Sequence, residues 1–311
     1  MCGGTTKMNI LVTGGRGFIG SHFVELAVGL GYNVTDYDSL TYAANLSLPV
    51  DETYPQYKFE ERDIQHLTHI PPNIDWIVNF AAESHVDNSI TSPDLFIKSN
   101  VLGVYNILNL IRGRVYHQPK LLHVSTDEVY GDFQDTPFTE KDVLTPSNPY
   151  SASKAAAEML IMAYGRTYDI EYIITRSTNN YGLRQYPEKL IPNCVESIRH
   201  SKKIPIHGDG SYVRDWIRVE DNVTGIMTAM NHGTIGEIYN IGADNPLSNL
   251  QIVQEVVKWF GLEYDEQTYV EFVKDRMGQD KRYAINSNKI RDLGWETKFE
   301  KGLHDYLTND A

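Results

Sequence analysis

Cysteine is nearly absent from this chain. Cys2 and Cys194 are the only two in 311 residues and lie far apart, which excludes a disulfide framework and points to a reducing cytoplasm. No apolar run is long enough to span a bilayer, and the opening MCGGTTK has neither a signal-peptide core nor the second-position glycine that myristoylation requires. HExxH and CxxC pairs are both missing and the histidines are scattered, so no metal is expected. Positive charge is also in deficit: 28 Lys and Arg against 41 Asp and Glu leave a formal net charge of -13. The field of the whole molecule therefore opposes nucleic acid, and local cations must hold any anionic ligand.

What is present suits a sizeable globular enzyme, because 41% of the residues are hydrophobic. Short apolar segments at Met8–Val12, Tyr32–Asp36, Tyr57–Glu60, Trp76–Phe80, Lys120–Val124 and Tyr172–Thr175 read as strands. Between them lie helical patterns at Ser21–Leu30, near Asp94–Arg112 and after Pro149. This alternation predicts an α/β fold with a doubly wound, Rossmann-type parallel sheet over 8–182. From 183 to 311 the rhythm is broken by Pro187, Pro192, Pro205, Gly208 and Gly210, which suggests a smaller mixed α/β lobe for substrate. Residues 219–242 read as a helix and strand returning to the first sheet.

Gly14, Gly17 and Gly20 are spaced GxxGxxG between a predicted strand and a predicted helix, where backbone can approach a pyrophosphate at a helix N-terminus. The bland alternative is a glycine turn with no ligand. Asp38 follows Gly20 by 18 residues at the end of the second strand, suited to accept from adenosine ribose hydroxyls or simply to open a loop. A carboxylate there repels a 2′-phosphate, and the sequence places no arginine beside it, so NAD is expected rather than NADP. For Asp63, loop capping and adenine recognition are equally open.

Tyr150 and Lys154 stand four apart on one face of a predicted helix, where an ammonium beside a phenol favours phenolate. Such a pair arises often by chance, but behind a dinucleotide turn it resembles the extended short-chain dehydrogenase/reductase family. Thr126-Asp127-Glu128 follow an apolar strand, at the end where parallel sheets build their sites. They are either a solvated acidic loop or an acid and a base.

Longer motifs sharpen the resemblance: AAESHVD at 81–87, STDEVYG at 125–131, NPYSASKA at 148–155, NNYG at 179–182, PEKLIP at 187–192, RDW at 214–216 and YNIG at 239–242. Together they resemble the dTDP-glucose and UDP-glucose 4,6-dehydratases, from Met8 to about Trp295. The resemblance implies that Thr126 and Tyr150, with Lys154, serve the C4 hydroxyl, Asp127 protonates the departing C6 hydroxyl and Glu128 removes the C5 proton. It implies NAD contacts at Phe18, Ile19, Asp38, Ser39, Thr41, Asp63, Ile64, Phe80, Ala81, Ala82, Glu83, Ser99, Tyr150, Lys154 and Asn180. It implies contacts to a nucleotide-diphosphate glucose at Ser84, Asn179, Lys189, Leu190, Pro205, Ile206, His207, Arg214, Asn249, Asp275, Arg276 and Gln279. A homodimer through the helices near 94–112 and 150–167 also follows from the family. The departures fall chiefly at the nucleotide end, where DRMGQD at 275–280 and His207 differ from the usual pattern. The competing readings are a nucleotide-sugar 4-epimerase, which needs no acid/base pair for water loss, and a noncatalytic NAD sensor on the same fold.

Overall fold

The computed structural model describes residues 7–132, 136–299 and 303. Cys2, the start of the N-terminal segment and most of the chain after 299 lie outside the described residues. The described residues form twelve strands: β1 (Asn9–Thr13), β2 (Asn33–Asp38), β3 (Tyr57–Glu61), β4 (Trp76–Asn79), β5 (Lys120–Thr126), β6 (Tyr172–Ser177), β7 (Asn179–Tyr181), β8 (Ile204–His207), β9 (Val213–Arg218), β10 (Ile238–Ile241), β11 (Pro246–Ser248) and β12 (Val270–Val273).

Seven of them form one parallel sheet in the order β10-β6-β5-β4-β1-β2-β3. The chain winds outward from β1 to β3 and then restarts at β4 on the other side of β1. That reversal opens a crevice at the C-terminal ends of β1 and β4, the place where doubly wound sheets bind ligands. Alternation along the strands feeds two cores: Ile10, Val12, Trp76 and Val78 pack on one face, Leu11 and Ile77 on the other. A third apolar cluster, including Tyr181, Ile191, Ile204, Trp216, Ile252 and Val256, holds the smaller sheets β11-β9-β7 and β12-β8.

Several element bounds differ from the sequence reading: the first helix starts at Phe18 rather than Ser21, and β2 runs on to Asp38 rather than stopping at Asp36. β5 runs on through Ser125 and Thr126, because their backbones continue the parallel register against Arg176 and Ser177 of β6. The helical stretch before it begins at Pro93 and widens to a π-helix at Ile97–Leu102 before resuming α geometry over Gly103–Arg112. Among the described residues, no helix is long and apolar enough to cross a membrane.

Candidate active site

All of the residues assigned to the cofactor except Asn180 line one cavity of about 560 Å³ at the sheet's switch point. Its floor is main chain. Gly14 has φ +77, and a Cβ there would stand 2.5 Å from the amide nitrogen of Ala81. A Cβ on Gly20 would stand 2.1 Å from the Gly14 carbonyl oxygen, so the turn and helix meet only through glycine. The helix Phe18–Gly29 has no side-chain cap at Gly17, leaving first-turn N–H groups for an anion.

Asp38 is buried at the tip of β2, where its carboxylate accepts from the Arg16 N–H at 2.9 Å and the Leu40 N–H at 2.8 Å. Asp63 both lines the cavity and caps the 3-10 turn Ile64–His66, accepting from the Gln65 N–H at 2.8 Å. The expectation that no arginine stands near Asp38 is wrong. Arg16 is an electrostatic neighbour of that carboxylate, and its Nε lies 3.6 Å from Asp36. Arg62 lines the same cavity and pairs with Glu60 at 3.2 Å. The sequence reading missed them because both are brought to Asp38 by folding rather than by chain proximity.

At the inner end of the cavity stand the groups able to move protons. Asn148 caps the helix Pro149–Tyr168 in a reciprocal capping box with Ser151, and Pro149 occupies its first turn, which fixes the start of the helix that carries Tyr150 and Lys154. The Asn148 side chain also hydrogen-bonds Glu128, tying that helix to the end of β5. Thr126 hydrogen-bonds Tyr150 and donates to Asp127 Oδ1 at 3.4 Å. Asp127 Oδ2 is buried and has no hydrogen-bond partner among the described residues.

The two carboxyls sit in unequal fields. Burial raises Asp127 far above the usual carboxylate range; Glu128 and Asp215 push the same way, and Arg214 and Thr126 oppose them. Burial also raises Glu128, but Arg214, Lys189 and Asn148 all favour its ionised form. Asp127 is thereby kept as an acid, while Glu128 has the cations that a carboxylate base needs.

Lys154 corrects a second expectation. Its ammonium donates to the Val124 carbonyl at 2.7 Å and lies 3.3 Å from His123 Nε2, rather than biasing Tyr150 toward phenolate as the four-residue spacing suggested. Burial lowers it to about 8. Burial and the negative fields of Glu128 and Asp127 raise the Tyr150 phenol, with the Thr126 hydrogen bond opposing them, so Tyr150 is a phenol in the free protein.

The residues assigned to the nucleotide sugar form a second, looser group. Lys189 lines the cavity, donates to the Ser84 carbonyl at 3.2 Å and feels Glu128, Arg276 and Asp87, which places it between the carboxyl pair and the outer rim. Arg276 pairs with Asp87 at 2.9 Å. Parallel pairing of β8 with β12 brings His207 beside the 275–279 segment, His207 Nδ1 lying 3.0 Å from the Lys274 carbonyl and the Tyr212 hydroxyl donating to Asp275. Arg214 is stacked on Tyr283 at 4.4 Å and donates to the Asp280 carbonyl at 2.8 Å. Asn179 opens β7, Leu190 starts the helix Leu190–Arg199, and the Asn249 N–H donates to the Tyr212 carbonyl at 3.2 Å. Pro205 and Met277 are exposed, Gln279 is half-buried, and the Ile206 side chain belongs to the third core.

Comparison with known proteins decides the family. The family model described as GDP-mannose 4,6 dehydratase matches residues 11–306. The chain belongs to that family. Within this dehydratase family it is 44% identical to the low-salt glycan biosynthesis protein Agl12 of Haloferax volcanii, covering 97% of this chain and 99% of that protein. It is 41% identical to a dTDP-glucose 4,6-dehydratase of Neisseria gonorrhoeae, covering 97% and 96% respectively. A solved structure of the Streptomyces venezuelae dTDP-glucose 4,6-dehydratase DesIV, with NAD and TYD bound, superposes with a TM-score of 0.89 at 39% identity and 96% coverage of both chains.

Several residues that shape this dehydratase site escaped the sequence reading. Asn100, in the π-helical turn, accepts from the Glu83 N–H at 2.8 Å and donates to the Glu83 carbonyl at 2.9 Å, clamping the segment that closes over Gly14. Thr13, Asn79 and His123 form a buried chain leading to Lys154, with contacts of 2.6 Å and 2.9 Å before the lysine. At the rim, Tyr42 donates to Glu188 at 3.0 Å and meets Tyr186 edge to face. A polar residue in a buried strand was the available signal for Asn79 and His123; Asn100 gave none.

Proposed function

We propose that the protein is an NAD-dependent nucleotide-sugar 4,6-dehydratase that converts dTDP-glucose or UDP-glucose to the 4-keto-6-deoxy sugar and water. The observation that carries this reading is the unequal carboxyl pair beside the Thr126–Tyr150 hydrogen bond. An epimerase has no use for it. The dTDP-glucose 4,6-dehydratases among the relatives support the same reaction class.

The NAD site is supported by the glycine floor that excludes any Cβ, the uncapped helix end and the anchored Asp38 carboxylate. The chemistry NAD supplies when bound is removal of the C4 hydride and its later return to C6. Thr126 orients the C4 hydroxyl, and Tyr150, a phenol in the free protein, takes its proton as the phenolate that the positive charge of bound NAD would favour, its own proton having passed to solvent. The ketone so formed acidifies C5–H and places the C6 hydroxyl β to it, so elimination becomes feasible. Glu128 then removes the C5 proton while Asp127 donates to the leaving hydroxyl. Lys189, Arg214 and Arg276 offset the diphosphate locally, as an acidic protein requires.

Thymine and uracil share one hydrogen-bonding edge and differ by a methyl group, worth about 1–3 kcal/mol in an apolar pocket. Both nucleotides should therefore be dehydrated, with kcat/KM values within about two orders of magnitude. Incubation with each, followed by the alkali-induced absorbance of a 4-keto product, tests the assignment. Simple C4 inversion would overturn the reaction class, and complete rejection of one pyrimidine would overturn the shared pocket.

We further propose a homodimer. The exposed side chains Leu95, Ile97, Leu102 and Tyr105 on one helical stretch, with Met159 and Tyr168 on the helix that follows β5, supply the apolar surface for it. A monomeric mass by light scattering would rule it out. The compartment we assign is a reducing cytoplasm, in keeping with the buried, unbonded Cys194.

A further inference from the structure

We propose that Asp36 is a cofactor-specificity residue: it pins the Arg16 guanidinium beneath the pyrophosphate turn and so denies the ribose end of the cleft a cation for a 2′-phosphate. The inference rests on the NAD reading above and adds a residue to it.

Arg16 sits inside the glycine turn, and its main-chain N–H binds the Asp38 carboxylate at 2.9 Å, so its side chain departs from the edge of the ribose site. The guanidinium does not stay there. Its carbon lies 4.3 Å over the Phe59 ring, its Nη1 reaches the Leu46 carbonyl at 3.4 Å, and its Nε is 3.6 Å from Asp36 Oδ2. Asp36 lies on the same face of β2 as Asp38, two residues earlier, and its backbone register is opposite Phe59 of β3.

The anchor itself is rigid. Asp36 is fully buried, its Oδ2 accepts from the Tyr57 hydroxyl at 2.9 Å, and a Cβ on Gly15 would stand 2.0 Å from its Oδ1. The hold on Arg16 is electrostatic rather than hydrogen-bonded, since Arg16 Nε and Asp36 Oδ1 both lack a hydrogen-bond partner among the described residues. A phosphate could therefore compete for this guanidinium if the carboxylate were removed.

The local charges show what such a phosphate meets now. Above pH 7, where Asp36 is ionised, two guanidiniums, Arg16 and Arg62, face three carboxylates, Asp36, Asp38 and Glu60, and Glu60 occupies Arg62 at 3.2 Å. A 2′-phosphate adds further negative charge to that excess. Removing Asp38 alone relieves direct repulsion but leaves Arg16 tied to Asp36. Removing both carboxylates frees a guanidinium whose planar donors match a phosphate.

The test is direct titration of purified protein with NADP and with NAD, followed by fluorescence. The forms compared are wild type, Asp38→Asn, Asp36→Asn/Asp38→Asn, and that double variant with Arg16→Ala. The expected result is a modest gain in NADP affinity for the single variant and a further gain of about tenfold or more for the double, abolished by Arg16→Ala. Equal NADP affinity for single and double variants, or a gain that survives Arg16→Ala, would overturn the proposal. Asp36→Ser in place of Asp36→Asn gives the same readout if the amide disturbs folding. The wild-type NAD titration reads the parent assignment separately: no NAD binding there would defeat the NAD reading, whereas NAD binding without the variant pattern defeats the Asp36 lock.

Discussion

The two halves of the cleft are built from different materials. The half around the glycine turn is mostly main chain at the ends of one parallel sheet, with Gly14 and Gly20 packed so closely that no side chain fits. The half around Lys189 and Arg276 is mostly side chains from separated segments that hold one another, such as Lys189 on the Ser84 carbonyl and Arg276 on Asp87. Main-chain geometry survives most substitutions, whereas a site of mutually supported side chains does not. Cofactor retention and turnover should therefore come apart when single side chains are changed.

Tyr150→Phe should break them apart most widely. It removes the proton acceptor for the C4 hydroxyl and leaves the glycine turn untouched, so kcat should fall about 10²–10⁴-fold with NAD affinity nearly unchanged. Parallel loss of NAD binding in a fluorescence titration would show that the two halves are not separable at this residue. Asp127→Asn and Glu128→Gln should each slow elimination by about 10²-fold or more. Rapid quench should find the 4-keto-glucose intermediate building up in the first, while solvent exchange at C5 is suppressed in the second. The same phenotype in both variants would remove the division of labour drawn from their unequal surroundings.

Asp38→Ala probes the other half. Loss of charge-assisted ribose hydrogen bonds should weaken NAD about 10–100-fold and leave kcat at saturating NAD largely intact. Unchanged affinity would put the ribose elsewhere.

The smallest effect is one of stability. Burial pushes Asp36 up to about 7 from the usual 3.8, against the pull of Tyr57 and Arg16. Folding therefore favours the protonated acid, so its contribution is fully present below pH 3.8 and is lost as pH rises toward about 7. Asp36→Asn lacks this titration. Between pH 5 and pH 8 the difference in urea-unfolding free energy should shift toward the variant by about 2–4 kcal/mol. A pH-independent difference would contradict the raised carboxyl.

Much of the site was legible because its chemistry is local. Gly14 to Gly20, Thr126 to Glu128, and Tyr150 with Lys154 each lie within a few residues at a strand end or on one helix face, where spacing is geometry. What was not legible depends on contacts between distant residues. Asn79 and His123 are direct partners in the β4–β5 register, and Arg16 meets Asp38 across 22 positions of sequence. The phenolate expected at Tyr150 failed for a related reason: four residues of separation put Lys154 on the same helix face, but a β5 carbonyl and His123 claim its ammonium. The nucleotide end was read from family motifs alone, since its residues come from loops whose order in space no periodicity records.

Dehydration of this kind requires the hydride to leave C4 and return to C6 within one active site. The most direct measurement uses nucleotide glucose deuterated at C4, with product analysed by mass spectrometry and NMR. Deuterium should appear at C6 of the 4-keto-6-deoxy product, with no net consumption of added NAD. Deuterium lost to solvent, or found in free NADH, would contradict it.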